Sequence, residues 1–460
     1  MLVDGENYFR AVRQAMRNAR ERIIMIGWDF DTRVKMYDTQ QEPEGPLELG
    51  EYIDWLVHQN PRLEVYILQW NLGALKLLKR GRTLVKAAQW LAHPRVHVAL
   101  DDAHPIGAAQ HEKLIVVDQD TAFCGGIDIT EDRWDTRAHR DEEERRNQPG
   151  DADTGPWHDL AAQMTGDVVK CLSEHAQERW KAATGTVPCA IGSATRALAS
   201  RPEPIRPDQL AIHEVDIAIA RTRGETEESE AVAEIEALFC DAIETAQRSI
   251  YIESQYFTSK TIACALAETL RAQRGPEIVL INPAKADGWL ESRVMDSTRA
   301  RIIEALRAID HGHRLRVYHP VTEGGKDIYV HAKILIVDAR SLRVGSANIA
   351  NRSMGFDSEC DVCLDAASTN HPQKTREYIT DVLLDLLAEH LGADPNHLKA
   401  LFDDQPSLFA IIDKLNGEGR GLRAYQTPDI SAVHAWLSDN PILDPQAKDT
   451  DWPSIAIRED

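Results

Sequence analysis

The order of apolar runs between residues 22 and 130 recurs between residues 248 and 350. In the first stretch RIIMIGWDF, LEVYILQW, RVHVALDD and KLIVVDQDTAFCGGIDI follow one another. In the second, RSIYIESQYF, EIVLIN, RLRVYHP and KILIVDARSLRVGSANI come in the same order. Each run is short, apolar and rich in β-branched residues, as a buried strand is. Between them lie segments such as EAVAEIEALFCDAIETAQ and SRVMDSTRARIIEALRAI, whose apolar residues return every three to four positions, as on a helix. Strands alternating with helices predict an α/β fold, and the repeat predicts that it is duplicated: two pseudo-symmetric halves, each a mixed sheet flanked by helices.

A chain of 460 residues has room for two to three such units. The expected division is a first half over residues 1–185, a linker over 186–212 with four prolines, a second half over 213–370 and a short helical C-terminal extension over 371–460. In the extension HLKALFDDQPSLFAIIDKL and SAVHAWLSDN read as helices. Residues 131–156, dense in charge and poor in apolar side chains, read as an extended loop near the first motif.

Within each repeat stands one pattern: His111-Glu112-Lys113 followed by LIVV and Asp118, and His331-Ala332-Lys333 followed by ILIV and Asp338. In an extended segment, residues two apart face the same side, so His and Lys project together while the apolar run anchors the strand. Two such pairs facing each other would line a pocket suited to the tetrahedral oxyanion of a phosphodiester. One neutral imidazole attacks phosphorus, and the other, protonated, donates to the leaving oxygen. The lysines stabilise charge on the non-bridging oxygens. This chemistry requires neither metal nor cofactor.

Asp118 and Asp338 stand an odd number of residues from their His and Lys, so they are expected to point away and fix the strand end. Ten residues beyond each lies Asp128 in GGID and Asn348 in GSAN. An amide can donate to a phosphate oxygen and an ionised carboxylate repels one, which makes the halves unequal. One His-x-Lys is a weak signal, but two copies with matching flanks are a strong one.

The formal charge of −22, from 74 acidic against 52 basic residues, opposes stable nucleic-acid binding and tight adsorption to anionic membranes. No apolar run has the length of a signal peptide or a membrane span, so the chain is expected in the cytoplasm, peripheral to the membrane. The seven cysteines are scattered, and the lone C-x-x-C of Cys360 and Cys363 lacks a second pair for zinc.

HEKLIVVD with GGIDITEDRWDT, and YVHAKILIVD with GSANIANRSMGFDSE, resemble the duplicated motif of the phospholipase D superfamily, in particular its phosphatidylcholine-type members. Trp157-His158-Asp159 and IESQYF at residues 252–257 match as well, and the resemblance runs from about residue 20 to 370. It implies two α/β halves sharing one active site, His111 as nucleophile and His331 as general acid and then base, roles that the duplication leaves exchangeable. It also implies phosphate contacts from Lys113, Lys333 and Asn348 with Ser346 nearby. Glu359 resembles the carboxylate that orients a catalytic histidine, with Asp135 as its counterpart in the first half. Gln255 is a candidate substrate contact, and Trp134 and Trp157 are candidate channel residues or packing residues. Asp128 departs from the Asn of many bacterial members, and Ser254 from the usual Asn. The implied activity is hydrolysis of a phospholipid headgroup ester at a membrane surface to phosphatidic acid, or transfer to an alcohol, through a covalent phosphohistidine. The competing activities are a cardiolipin synthase-like phosphatidyl transfer and a nuclease.

Overall fold

The computed structural model describes residues 1–36, 44–71, 81–146, 154–192, 210–227, 229–286 and 289–427, without the side chains of residues 81, 82, 84 and 289–294. Its strands, in chain order, are β1 (Leu2–Val3), β2 (Arg22–Gly27), β3 (Glu64–Trp70), β4 (Val96–Asp101), β5 (Leu114–Val117), β6 (Thr121–Gly125), β7 (Trp157–His158), β8 (Leu160–Thr165), β9 (Ala218–Arg223), β10 (Val232–Ala233), β11 (Ser249–Glu253), β12 (Glu277–Ile281), β13 (Leu315–Val321), β14 (Tyr329–Val330), β15 (Ile334–Val337), β16 (Ser341–Gly345), β17 (Glu359–Asp365) and β18 (Gly421–Ala424). The helices are α1 (Asp4–Arg17), α2 (Leu49–Gln59), α3 (Gly81–Leu91), α4 (Asp167–Thr184), α5 (Glu234–Glu244), α6 (Lys260–Arg271), α7 (Trp289–Ile309), α8 (Asn351–Gly355), α9 (Pro372–Leu391), α10 (Pro395–Asp404) and α11 (Leu408–Leu415).

The repeat of the sequence is a repeat of topology. One large sheet runs β1-β8-β6-β5-β2-β3-β4 and a second β10-β9-β17-β16-β15-β11-β12-β13-β18, and a third, of two parallel strands, pairs β14 with β7 across the halves. Six consecutive strands correspond, with β2, β3 and β4 parallel as β11, β12 and β13 are, and with the rest of each six antiparallel. Both large sheets are mixed, as the alternation of elements requires.

Side-chain alternation explains how the sheets bury both faces. Ile24 and Ile26 of β2, Leu114 and Val116 of β5, Tyr251 of β11, and Ile334 and Ile336 of β15 belong to one core lying between the two sheets. Ile23 and Met25, Ile115 and Val117 turn instead to a second core with the helices of the first half, and Ile250, Ile252, Leu335 and Val337 to a third core in the second half. A fully buried aliphatic side chain contributes about 1.5–3 kcal/mol, so the shared central core holds the halves as one body.

The C-terminal segment is less separate than expected. Helix α9 packs into the central core through Ile379, Leu383, Leu386 and Leu387. The strand β18 pairs with β13 and extends the second sheet, an element that the helical reading did not include. The run SAVHAWLSDN at 431–440 and most of the linker, residues 193–209, lie outside the described residues.

Candidate active site

Each motif takes the same place in its half. His111 and Lys113 lie in the extended segment that leads into β5, and His331 and Lys333 in the one that leads into β15, just ahead of the ladders rather than within them. The four apolar residues that follow each Lys are all buried and anchor the segment. Lys113 Nζ donates to the carbonyl of His111 at 2.8 Å, and Lys333 Nζ to that of His331. Each ammonium is thus tethered beside its own imidazole.

The carboxylates behind the two histidines are exchanged between halves. His111 Nδ1 lies 3.0 Å from both oxygens of Glu359, and His331 Nδ1 lies 2.6 Å from Asp159 Oδ2. The backbone repeats the exchange: His111 N donates to Ser358 O at 3.0 Å, and His331 N to His158 O at 2.8 Å. With Nδ1–H on a carboxylate, each ring keeps Nε2 for the reacting atoms.

Asp159 and Glu359 are equivalent positions, since Gly125 pairs with Ala161 as Gly345 pairs with Asp361. Asp135, the expected counterpart of Glu359, sits elsewhere. Its carboxylate accepts from His139 Nδ1 at 2.8 Å, Arg146 Nε at 3.0 Å and the Trp157 amide at 2.9 Å. The signal for Asp159 was the strand register itself: the carboxylate stands two residues before the partner of the glycine that closes β6 or β16.

Asp118 and Asp338 face away from the pocket, as their spacing requires. Asp118 accepts from the amides of Arg20, Glu21 and Arg22 at 2.9, 2.9 and 2.8 Å. Asp338 accepts from those of Gln247, Arg248 and Ser249 at 2.9, 2.7 and 2.9 Å. Both adopt positive φ, 51° and 55°, which turns the chain out of the strand while the carboxylate binds the entry to the neighbouring one.

Lys113 Nζ is 3.3 Å from Asp128 Oδ2, and Asp128 Oδ1 accepts from the Trp28 amide at 3.0 Å. Lys333, fully buried, has no carboxylate in ion-pair range among the described residues, and burial pushes its ammonium down to about 7 against the pull of Asp159. Asn348 replaces Asp128 in that half. Its Nδ2 donates to Gln255 Oε1 at 3.4 Å and its buried Oδ1 has no partner, while Gln255 Nε2 donates to the Tyr329 hydroxyl at 3.0 Å. Ser346 Oγ donates to Glu359 Oε2 at 2.5 Å. At the equivalent Gly126, a Cβ would come within 2.1 Å of Asp159 Oδ1, so only glycine fits there.

Burial would raise the Glu359 carboxyl, but His111, the Ser346 hydroxyl and Lys113 outweigh it and hold it at about 2. Asp159 is raised by its burial, with Lys333 opposing. The His331 imidazole is held well below its ordinary value by burial and then by the charges of Lys333, Arg133, Lys113 and His111.

Arg133 was not among the residues singled out from the sequence. Its guanidinium lies 4.1 Å over the ring of Trp157, which stacks on Tyr329 at 4.6 Å and lies 5.1 Å from the His331 ring. An arginine five residues past Asp128 carries no spacing signal of its own. Of the two candidate tryptophans, Trp157 borders the site, while Trp134 belongs to the core of the first half. The result is a pocket of two imidazoles, two lysines and an arginine, suited to a tetrahedral anion.

Comparison with known proteins gives likenesses of sequence and fold. The family model described as "Cardiolipin synthase, PLD-like domain" matches residues 239–380, most of the second half. Phospholipase D alpha 1 of Carica papaya is 24% identical, over 88% of this chain and 66% of that one. Cardiolipin synthase A of Pseudomonas fluorescens is 26% identical, over 78% of this chain and 63% of that one. The chain thus spans about two thirds or less of the length of these relatives. The crystal structure of phosphatidylserine synthase from Haemophilus influenzae superposes with a TM-score of 0.52 at 13% identity, covering 90% of this chain and 94% of that one, a likeness of fold. The duplicated sheets, the paired His-x-Lys segments and these relatives support the phospholipase D superfamily, with a PLD-like domain matched in the second half.

Proposed function

We propose that the protein cleaves a phospholipid headgroup ester through a phosphatidyl-histidine intermediate and passes the phosphatidyl group to water or an alcohol. The observation that carries this reading is the facing pair of imidazoles, each with its Nδ1 on a carboxylate from the other half. In the first step His111 Nε2 bonds to phosphorus as the bond to the headgroup oxygen breaks, and His331 gives that oxygen its proton. In the second, His331 takes a proton from water or alcohol, whose oxygen attacks phosphorus and releases His111. Lys113, Lys333 and the Asn348 amide hold the non-bridging oxygens. Burial and then the neighbouring charges hold His331 low, and the bound phosphodiester offsets the second of these, so substrate helps to load the acid with a proton from solvent. Ile106, five residues before His111 and fully exposed, offers an apolar contact to a lipid surface.

The reverse assignment has one observation in its favour: a neutral His331 has its lone pair available in the resting site. The acceptor has a second reading, phosphatidyl transfer to phosphatidylglycerol, favoured by the family model that matches the second half and by the Pseudomonas relative.

Mixed vesicles of phosphatidylcholine and phosphatidylglycerol, incubated with the protein and ethanol beside a His111→Ala control, test all three. Phosphatidic acid and phosphatidylethanol identify the lipase, and cardiolipin identifies the synthase. An acid-labile lipid adduct mapped to His111 or His331 by mass spectrometry assigns the nucleophile. The absence of any lipid product from folded protein refutes the proposal.

A further inference from the structure

Behind the active site lies a second cluster of titratable side chains that the proposed chemistry does not use. Asp4 opens α1, His139 lies between β6 and β7, His158 ends β7 and Glu389 sits near the end of α9. All four are buried, and one nitrogen or oxygen from each lies within 4.8 Å of all the others. His158 Nδ1 is 3.1 Å from Asp4 Oδ1 and 2.9 Å from Glu389 Oε1, and His139 Nε2 is 3.0 Å from Glu389 Oε1 and 3.4 Å from Asp4 Oδ2. A tetrahedral ion with bonds of about 2.0–2.2 Å holds its ligand atoms about 3.3–3.6 Å apart; one of these four separations, 3.4 Å, lies in that range, and the other three, 2.9–3.1 Å, need to widen by a few tenths of an ångström to admit the ion.

Two further observations point to a ligand. His158 Nδ1 is aligned for a hydrogen bond with neither oxygen beside it, and Asp4 Oδ2 accepts no hydrogen bond, although both atoms are fully enclosed. Of the four contacts, only the one from His139 to Glu389 has hydrogen-bond geometry. The far nitrogen of each ring is also committed to a carboxylate: His139 Nδ1 to Asp135 at 2.8 Å and His158 Nε2 to Glu253 at 2.8 Å. Those carboxylates are held in turn, Asp135 by Arg146 and Glu253 by His390 and Tyr251. A metal-bound histidine has this arrangement, with its second N–H on a carboxylate that fixes the tautomer and aims the other nitrogen inward.

We infer that Asp4, His139, His158 and Glu389 form a structural site for one divalent ion of the zinc class, distinct from the reacting atoms. Two imidazoles and two carboxylates in a tetrahedral array suit zinc rather than calcium or magnesium, which prefer six or more oxygens. The site joins the first turn of α1 to the last turn of α9, and so the first half to the segment after the second. It also reaches the active site. Asp4 N donates to Asp159 O at 2.8 Å and Asp159 N donates to Asp4 Oδ1 at 3.2 Å, so the ion braces the carboxylate behind His331.

The test is metal analysis of the purified full chain, together with cobalt substitution by refolding. One equivalent of zinc per chain is expected, visible bands of tetrahedral cobalt in the substituted protein, and a thermal midpoint that falls on chelation and returns with zinc. His139→Ala should lose the bound metal while the circular dichroism of the fold persists. The inference is overturned if wild-type protein refolded with zinc or cobalt binds neither and its midpoint ignores both, or if folded His139→Ala keeps a full equivalent. Should that variant fail to fold, wild-type stoichiometry and the cobalt spectrum decide. None of these readouts depends on lipid turnover.

Discussion

The two halves share six strands, a His-x-Lys and an aspartate that closes the strand, yet they differ around the lysine. In the first half Lys113 faces Asp128 at 3.3 Å, and in the second Lys333 has no carboxylate in ion-pair range among the described residues and Asn348 stands where Asp128 would. The scaffold was duplicated, and the electrostatics have diverged. A buried lysine without a carboxylate in ion-pair range gains from a bound anion that favours its charged form. The second half thus supplies a cation that the substrate completes.

The comparison can be broken most severely at the histidines. His111→Ala and His331→Ala should each lower kcat by about 10⁴-fold or more, and the double variant little further, because the two act as a unit. Lipid turnover checks this, and independent, additive losses would contradict a single shared site.

Glu359→Gln and Asp159→Asn probe the exchanged carboxylates, which act through their histidines. A loss of about 10²–10⁴-fold in kcat with KM nearly unchanged is expected for each, with a displaced pH profile. A change in KM alone would mean that these residues hold substrate instead.

Reciprocal exchange at the lysines sharpens the difference. Asn348→Asp places an anion where phosphate binds and should cost about 10²-fold in kcat/KM, while Asp128→Asn should change it by less than about tenfold. Equal effects would remove the asymmetry.

The isolated lysine also makes a stability prediction. Lys333 is lowered from 10.5 to about 7 in the folded chain, so between those values the unfolded state binds the extra proton and stability rises with pH. The cost is fully present below pH 7 and relieved as pH climbs towards 10.5. Lys333→Met should therefore stabilise the fold at pH 6 by up to about 5 kcal/mol, with the gain shrinking at high pH. Denaturant titrations at several pH values would show it, and a gain independent of pH would contradict it.

Where the halves are alike, their variants should be alike. Asp118→Ala and Asp338→Ala each strip three amides of their acceptor and should cost about 3 kcal/mol, with kcat of the folded fraction within about tenfold of wild type. A selective loss of activity from either would place that aspartate in the chemistry.

The duplication, the succession of strands along the chain and the two His-x-Lys segments were legible because strand burial and motif spacing are local properties of sequence, whereas the order of strands within each sheet depends on long-range pairing and was not. The outward turn of Asp118 and Asp338 followed from parity alone. Glu359 came from resemblance, and its counterpart was placed on Asp135 because an acidic loop offers several candidates and only strand pairing singles out Asp159. Arg133 and the cluster of Asp4, His139, His158 and Glu389 had no local pattern, since their side chains meet through tertiary packing over as many as 385 residues. The strand β18 was missed because four residues beside a glycine-rich turn show no alternation.

The exchange of carboxylates has a consequence for biogenesis. His111 waits 248 residues for Glu359, and Asp159 waits 172 residues for His331. At typical rates of synthesis the first interval lasts about 12–50 s, during which the first half can fold on the ribosome with an unaimed histidine. On the proposed chemistry, a nascent or truncated chain therefore carries His111 without the carboxylate that aims it, and the site is complete only once translation has passed the second half.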